Sequence, residues 1–326
     1  MRTRVFVVLA VLLAVPCFAK ITVREFTMPA VGAKVNEPFV QGDWAVAILT
    51  TDLSKPNSAL GIIAYDLKAK KVYTLHKGKA CSPCIAGSVA MWDGKVDDVP
   101  SLAGTIGARG QYEHSLIQYD FLMGQHSVSS LRHLCFAHAS SGAYVVGSPS
   151  GRLYLANLTT NKETLIVDKE GGAQYPDVAG DLVVWLDQNM EDRIGIVRGY
   201  RISTGEKILF TDNLKHSLNC WPRTDGKYVV WLENDHDTYV YDTQTGKVKV
   251  LMSSIWPDIS DGIVVYAKTP ASTGKKERII YGMDLKTGEE FQISQEVQDT
   301  GSRFRIEGNR VVWVEGNVLH CADLVR

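Results

Sequence analysis

The chain has 326 residues, of which 35 are basic and 36 acidic, and its formal net charge is −1. This balance excludes the strong electrostatic field by which a protein attracts nucleic acid or an anionic membrane surface. The length suits two ordinary domains or one large closed architecture, and the chain contains no low-complexity run.

The N-terminus has the pattern of an export signal. Two arginines precede an apolar run at 5–15, which is too short to span a bilayer. Small residues before Lys20 suit a signal peptidase, so residues 1–19 are predicted to be a signal peptide and the mature chain to be periplasmic or secreted. A lipoprotein signal at Cys17 is the alternative, and Pro16 disfavours it. No later segment has the pattern of a membrane span.

A short phrase recurs three times along the chain. It reads QYPDVAGDLVVW at 174–185, WPRTDGKYVVW at 221–231 and WPDISDGIVVY at 256–266. In each copy a glycine, suited to a tight turn between antiparallel strands, precedes a run of β-branched and aromatic residues. Such runs are typical of strands that are buried on both faces.

A second phrase consists of a strand, a turn of the D-x-x-T-G type and another strand, and it appears at 62–75, 198–210, 239–251 and 280–293. Together the two phrases predict a unit of four strands in an up-and-down meander. Seven units can be counted by their turn glycines: Gly42, Gly87, Gly142, Gly180, Gly226, Gly262 and Gly308. Repeats of about 45 residues with four strands each predict a β-propeller, whereas an open solenoid would need capping units.

The two ends of the chain predict how the propeller closes. The last unit stops after three strands, and the segment 21–29 is a strand that no unit uses. Pairing the two would complete the seventh blade and remove two exposed sheet edges. The predicted fold is therefore all-β, a seven-bladed β-propeller of four-stranded antiparallel blades, with the last blade closed by the N-terminal strand. Residues 20–326 are expected to form a single β-propeller domain.

The succession of a proline, Asp-Gly, an apolar strand and the motif IY-x-x-D-L-x-T-G-E resembles the TolB-like β-propeller repeats of exported bacterial proteins. The resemblance covers nearly the whole mature chain. The second unit departs from it by a long insertion, and the third lacks the proline. It implies the propeller fold and a binding role, and it implies no single activity, because propellers host many.

The tryptophans of the repeated strands are expected to be core residues rather than ligand platforms. They are Trp44, Trp92, Trp185, Trp231 and Trp313.

Candidate binding residues follow the prolines of the repeated phrase. Alignment of the units places Asp177, Arg223 and Asp258 at one equivalent position, together with Cys84. A ring of alternating charge at the channel mouth could bind a polar ligand or a cation, or it could be an ion-pair network that only stabilises the strands.

The cysteines allow two interpretations. Cys81, Cys84, Cys135 and His138 have spacings compatible with a tetrahedral metal site. Export favours a disulfide, either Cys81–Cys84 or Cys81–Cys135, over the metal site. No cofactor is therefore predicted.

Two classes of function remain open. The preferred one is an exported, monomeric, non-catalytic propeller that binds a protein, a peptide or a glycan on its channel-mouth face. The alternative is a saccharide-acting enzyme on the same face, either a polysaccharide lyase, since seven-bladed oligogalacturonate lyases resemble this architecture, or a glycoside hydrolase with paired carboxylates at Asp177 and Asp258. No catalytic residue is assigned, because no motif of nucleophilic or metal-assisted hydrolysis occurs.

Overall fold

The structure, a computed structural model, describes residues 21–51, 59–102, 115–131, 134, 137–189, 194–211, 221–269, 278–297 and 304–325. They form seven four-stranded antiparallel sheets, which are the blades of a β-propeller. The described helical segments are two 3₁₀ turns, Val96–Asp98 and Pro149–Gly151. Within the described residues, no helix combines the length and the apolar character that crossing a membrane requires. The predicted signal peptide lies outside the described residues.

The strands follow the chain from the channel outwards in blades I to VI, so that each blade is a simple meander. Blade I consists of β2 (Lys34–Gln41), β3 (Trp44–Thr50), β4 (Ala59–Asp66) and β5 (Lys71–Lys77). Blade II consists of β6 (Ala80–Ala86), β7 (Val89–Gly94), β8 (Ser115–Asp120) and β9 (Gln125–Val128). Blade III consists of β10 (Ala137–Ser141), β11 (Tyr144–Gly147), β12 (Leu153–Asn157) and β13 (Lys162–Val167).

Blades IV to VII continue the same order. Blade IV consists of β14 (Ala173–Ala179), β15 (Leu182–Asn189), β16 (Ile194–Arg201) and β17 (Lys207–Leu209), and blade V of β18 (Arg223–Thr224), β19 (Tyr228–Glu233), β20 (Asp237–Asp242) and β21 (Val248–Leu251). Blade VI consists of β22 (Ile255–Ser260), β23 (Ile263–Lys268), β24 (Arg278–Asp284) and β25 (Glu290–Val297). Blade VII consists of β26 (Arg305–Glu307), β27 (Arg310–Glu315) and β28 (Val318–Val325), and β1 (Thr22–Thr27) completes it.

The last blade closes as predicted. Strand β1 pairs antiparallel with β28, from Thr22 opposite Val325 to Thr27 opposite His320. The first strands of neighbouring blades contact each other around the whole circle, including β26 of blade VII with β2 of blade I. The sequence prediction of a seven-bladed, four-stranded propeller closed by the N-terminal strand is therefore confirmed.

The core consists of apolar clusters between neighbouring blades. The second strand of a blade is buried on both faces, and its tryptophan packs against the preceding blade, as Trp185 does in the cluster between blades III and IV. Trp92, Trp231 and Trp313 occupy the same place in their blades and are also fully buried. Truncation of such a side chain typically costs about 3–5 kcal/mol. Trp44 is only half-buried and stacks on Phe121, with 4.0 Å between the ring centroids.

The seven turn glycines all lie in the left-handed region, with φ from 54° to 89°, between the first and second strands of their blades. Three of them also connect blades, because the glycine N–H donates to a side chain of the preceding blade. These hydrogen bonds run from Gly180 to Ser141 (3.3 Å), from Gly262 to Asp225 (2.8 Å) and from Gly308 to Ser260 (2.9 Å).

The two faces of the propeller differ in their connections. The glycine turns and the turns between third and fourth strands lie on one face, here called the hairpin face. The connections between blades, and those between second and third strands, lie on the other, the channel-mouth face.

Candidate functional site

A shared backbone irregularity shapes the channel wall. In five blades the residue before the proline of the first strand has a left-handed conformation: Glu37 (φ 48°), Ser82 (51°), Tyr175 (49°), Trp221 (33°) and Trp256 (55°). The pairing with the second strand shifts at this point in blades I, II, IV and VI, as at a β-bulge. A left-handed conformation costs a residue with a side chain about 1–2 kcal/mol. Its repetition therefore marks a position at which the fold requires the bend.

The residues that follow the bend form a ring at equal register around the channel. Each of these residues pairs with the corresponding residue in the second strand of its own blade, which is a methionine in blade II and a valine in the other blades. In blade order the ring consists of Phe39, Cys84, Ala139, Asp177, Arg223, Asp258 and Arg305.

The structure brings the predicted residues Asp177, Arg223 and Asp258 together on neighbouring blades. It adds Arg305, which sequence analysis missed because blade VII has no proline at this point. The distance to the turn glycine could have revealed it, since Arg305 precedes Gly308 by as many residues as Asp177 precedes Gly180.

The charged residues of the ring interact with each other and with the backbone of the neighbouring blades. The Oδ1 atom of Asp258 lies 4.0 Å from Nε of Arg223, and its Oδ2 atom lies 3.9 Å from Nη1 of Arg305. Asp258 also accepts a hydrogen bond from the N–H of Ile306 (3.0 Å), and Asp177 accepts one from the N–H of Thr224 (2.8 Å). Each carboxylate therefore joins the first strand of its blade to that of the next blade.

The surroundings of two carboxyl groups in the channel, those of Asp177 and Glu307, raise their pKa values. Burial raises the pKa of Asp177, and repulsion from Asp258 adds to this, while the guanidinium groups of Arg223 and Arg305 oppose it. On the hairpin side of the ring, loss of hydration raises the pKa of Glu307 to about 7, and repulsion from Asp258, Asp177 and Asp261 acts in the same direction. The Glu307 side chain is itself exposed to solvent and lines the cavity on this side of the ring.

The ring separates two chemically different parts of the channel. On the hairpin side is a cavity of about 160 Å³, and its wall includes the carboxyls of Asp177, Asp258, Asp261 and Glu307 together with Arg305. On the channel-mouth side a cavity of about 20 Å³ is lined by aromatic and cationic side chains together with Pro257 and Asp258. These side chains are Trp221, Trp256, Phe304, Arg223 and Arg305.

Half-buried aromatic side chains surround the channel mouth. Tyr175, Trp221 and Trp256 are the residues before the proline in blades IV, V and VI. The rings of Tyr175 and Trp221 meet edge to face, 5.9 Å apart. The guanidinium carbon of Arg278 lies 3.8 Å from the ring centroid of Trp256. Sequence analysis did not select these aromatic residues, although the repeated Trp-Pro dipeptide was visible.

Of the cysteines whose spacing suggested a metal site or a disulfide, the structure describes Cys81 and Cys84 and not Cys135. Cys84 is buried in the apolar cluster between blades II and III, whereas Cys81 lies across the bend with its Sγ 3.9 Å from Oδ2 of Asp93. Both are free thiols, as is the buried Cys321, so a Cys81–Cys84 disulfide is not formed. Burial raises the pKa of Cys81 and Cys84 to about 12, which keeps both thiols protonated.

The weaker metal alternative depended on two further ligands. Cys135 and the side chain of His138 lie outside the described residues. Among the residues that are described, no group of three or more His, Cys, Asp or Glu side chains is placed to hold a metal ion.

Comparison with known proteins gives the fold and no family. No family model and no curated protein matches the chain. Among solved structures it is similar to TolB from Acinetobacter baumannii, with a TM-score of 0.51 and 14% identity over 84% of this chain and 68% of TolB. It is also similar to the β-propeller domain of the trilobed protease from Pyrococcus furiosus, with a TM-score of 0.59 and 13% identity over 88% of this chain and 90% of that domain.

A third similar structure is the acylaminoacyl peptidase from Pyrococcus horikoshii, with a TM-score of 0.60 and 12% identity over 88% of this chain. The chain spans about half the length of that peptidase, since it covers 50% of it. The propeller of the trilobed protease is described as having an open velcro topology, whereas here β1 closes the last blade. At these identities the likeness concerns the β-propeller fold alone.

Proposed function

We propose that the chain is an exported, monomeric, non-catalytic β-propeller that binds a glycan, a peptide or a protein at its channel mouth. The observation that carries this proposal is the set of half-buried aromatic side chains at equivalent positions of blades IV to VI, Tyr175, Trp221 and Trp256. Aromatic residues with one exposed face contribute a large contact area at a small cost in conformational entropy. The pattern of residues 1–19 supports the export part of the proposal.

The carboxylates of the ring support binding over catalysis. Asp258 is engaged by two arginines and by the N–H of Ile306, and Asp177 by the N–H of Thr224. A general acid or nucleophile needs a carboxyl that faces the substrate, whereas these two are occupied with joining the blades. The alternative of a saccharide-acting enzyme would require one of them to leave its partners.

Binding is tested with the mature chain on arrays of glycans and peptides. Alanine at Tyr175, Trp221 and Trp256 in turn is expected to weaken the binding of any ligand found by about tenfold or more per residue. The control is Tyr73→Ala, because this tyrosine is exposed on the outer strand of blade I, away from the mouth. Unchanged binding in all three mouth variants would contradict the proposal.

Two further measurements test the remaining parts of the proposal. Sequencing of the mature N-terminus after expression with residues 1–19 should find Lys20 first. Sedimentation of the mature chain should give the mass of a monomer.

A further inference from the structure

Arg278 stands apart from the other arginines that surround the channel mouth. It is the first residue of β24, and its guanidinium lies over the ring of Trp256. Arg223 and Arg305 both face the carboxylate of Asp258. No carboxylate among the side chains that the structure describes pairs with Arg278, and its buried Nη1 has no hydrogen-bond partner among them.

Among the described side chains, the guanidinium of Arg278 therefore lies beside an aromatic ring without a counter-charge. Burial lowers the pKa of Arg278, because part of the hydration of its guanidinium is lost. A guanidinium over an aromatic ring keeps its N–H groups directed outward in its own plane, where a carboxylate can accept two parallel hydrogen bonds. An anionic group of a ligand would supply such a counter-charge.

The aromatic residues indicate what carries the anion. Trp221 and Trp256 line the same small cavity at the mouth. A sugar ring offers a rigid face of C–H groups to such a surface and can bear a carboxylate at its edge. The ring plane and the carboxylate would then contact an indole and the guanidinium at the same time.

An acidic peptide fits less well. Extended peptides gain affinity chiefly through main-chain hydrogen bonds to an exposed strand edge. At the channel edge of the first strands, the N–H groups of Thr224 and Ile306 already donate to Asp177 and Asp258. This edge therefore offers no continuous ladder for a peptide.

We propose that the ligand of the channel mouth is an acidic glycan, whose sugar carboxylate binds Arg278 while its ring lies against Trp221. This inference rests on the proposed function of the mouth as a binding site and specifies the ligand class. It makes the mouth selective for carboxylated sugars over neutral ones, and it assigns that selectivity to Arg278.

The test is calorimetry on the mature chain with two matched probes. Oligomers of mannuronate and oligomers of mannose with the same linkage differ only in the carboxylate. We expect the mannuronate oligomers to bind at least about tenfold more tightly, with an affinity that falls as salt is raised. Arg278→Met should reduce their affinity to that of the mannose oligomers and leave mannose binding unchanged.

Two further variants separate the guanidinium from a structural role. Arg278→Lys keeps the charge without the planar fork and should retain an intermediate affinity. Arg201→Met removes an arginine that pairs with Asp181 and Glu206 outside the channel, and it should leave binding unchanged. Melting curves of all variants show whether they are folded.

The outcomes distinguish the two proposals. Equal binding of both oligomers, with loss of binding in Trp221→Ala, would overturn the role of Arg278 and keep the mouth as a binding site. Unchanged mannuronate affinity in Arg278→Met would do the same. Binding of a poly-glutamate peptide and of neither oligosaccharide would show that the ligand class is wrong. Absence of binding to any probe or array would remove both proposals.

Discussion

The channel wall has an apolar half and a charged half built on one backbone design. In blades I to III the ring residues are Phe39, Cys84 and Ala139, whereas blades IV to VII carry two acids and two arginines. Phe39 and Cys84 belong to the apolar packing around blade II. The same position is thus stabilised by burial on one side of the channel and by ion pairs and hydrogen bonds on the other.

The difference between the two halves shows which part of the repeat the fold itself requires. The bend before the proline occurs in both halves, at Glu37 and Ser82 as well as at Tyr175, Trp221 and Trp256. The bend of the backbone therefore does not depend on the aromatic side chains. Tyr175 and Trp256 also pack against the clusters between blades, and the proposed binding at the mouth would use the part of these side chains that stays exposed. The following predictions test the contrast between the halves.

Removal of Asp258 should have the largest effect. Asp258→Ala removes the carboxylate that Arg223 and Arg305 both face, so that Asp177 is the ring carboxyl that remains beside them, and it takes an acceptor from the N–H of Ile306. We expect the free energy of unfolding to fall by about 3–5 kcal/mol in urea titrations. Cys84→Ala, the matched change in the apolar half, should cost about 1 kcal/mol. Equal losses in the two variants would mean that the charges do not stabilise the ring.

Loss of Arg223 should cost less than loss of Asp258. Because Arg305 also faces Asp258, Arg223→Met leaves that carboxylate with one cation and two backbone donors, the N–H groups of Ile259 and Ile306. The expected loss is about 1.5–3 kcal/mol, and it should be smaller still in a chain that already carries Asp258→Ala. The double variant measured beside both single variants gives this coupling. Additive losses would show that Arg223 acts independently of Asp258.

The bend itself can be probed in the apolar half. Glu37 is exposed and has φ 48°. Glycine adopts this conformation without strain, although it loses more entropy on folding than alanine does. We therefore expect Glu37→Gly to be more stable than Glu37→Ala by about 1 kcal/mol. Thermal unfolding of the two variants measures the difference, and both should bind ligand normally. At Trp256 in the charged half, glycine should abolish binding. Loss of binding in the Glu37 variants would show that the two halves are functionally alike.

The sequence was sufficient for the parts that repeat locally. The turn glycines and the apolar second strands specify the blades because turn and burial depend on neighbouring residues, and their spacing also aligned Asp177, Arg223 and Asp258. The left-handed residues before proline could not be predicted in this way, since proline normally disfavours compact conformations at the preceding residue.

Contacts between residues that are distant in sequence could likewise not be predicted from the sequence. Arg278 meets Trp256 only because the third strand of blade VI begins beside its first strand. The bend in blade II turns Cys84 into the apolar core and leaves Cys81 beside Asp93, so that closeness in sequence did not make the two thiols partners. Both results follow from the three-dimensional path of the chain, and no local pattern contains them.

The smallest effect concerns Glu307 and the pH. Its pKa is about 7 in the folded chain, above its ordinary value, so the folded state holds this proton more tightly than the unfolded state. Stability should therefore decline as the pH rises from about 4.5 through about 7 and then level off. In Glu307→Gln this decline should be absent, and the variant should be more stable than the parent above pH 7 and not below pH 5. Glu206→Gln, on a hairpin outside the channel, is the control. Urea titrations between pH 4 and 8 decide the matter, and parallel pH profiles for the parent and the Glu307 variant would mean that the acidic side of the channel does not hold this proton.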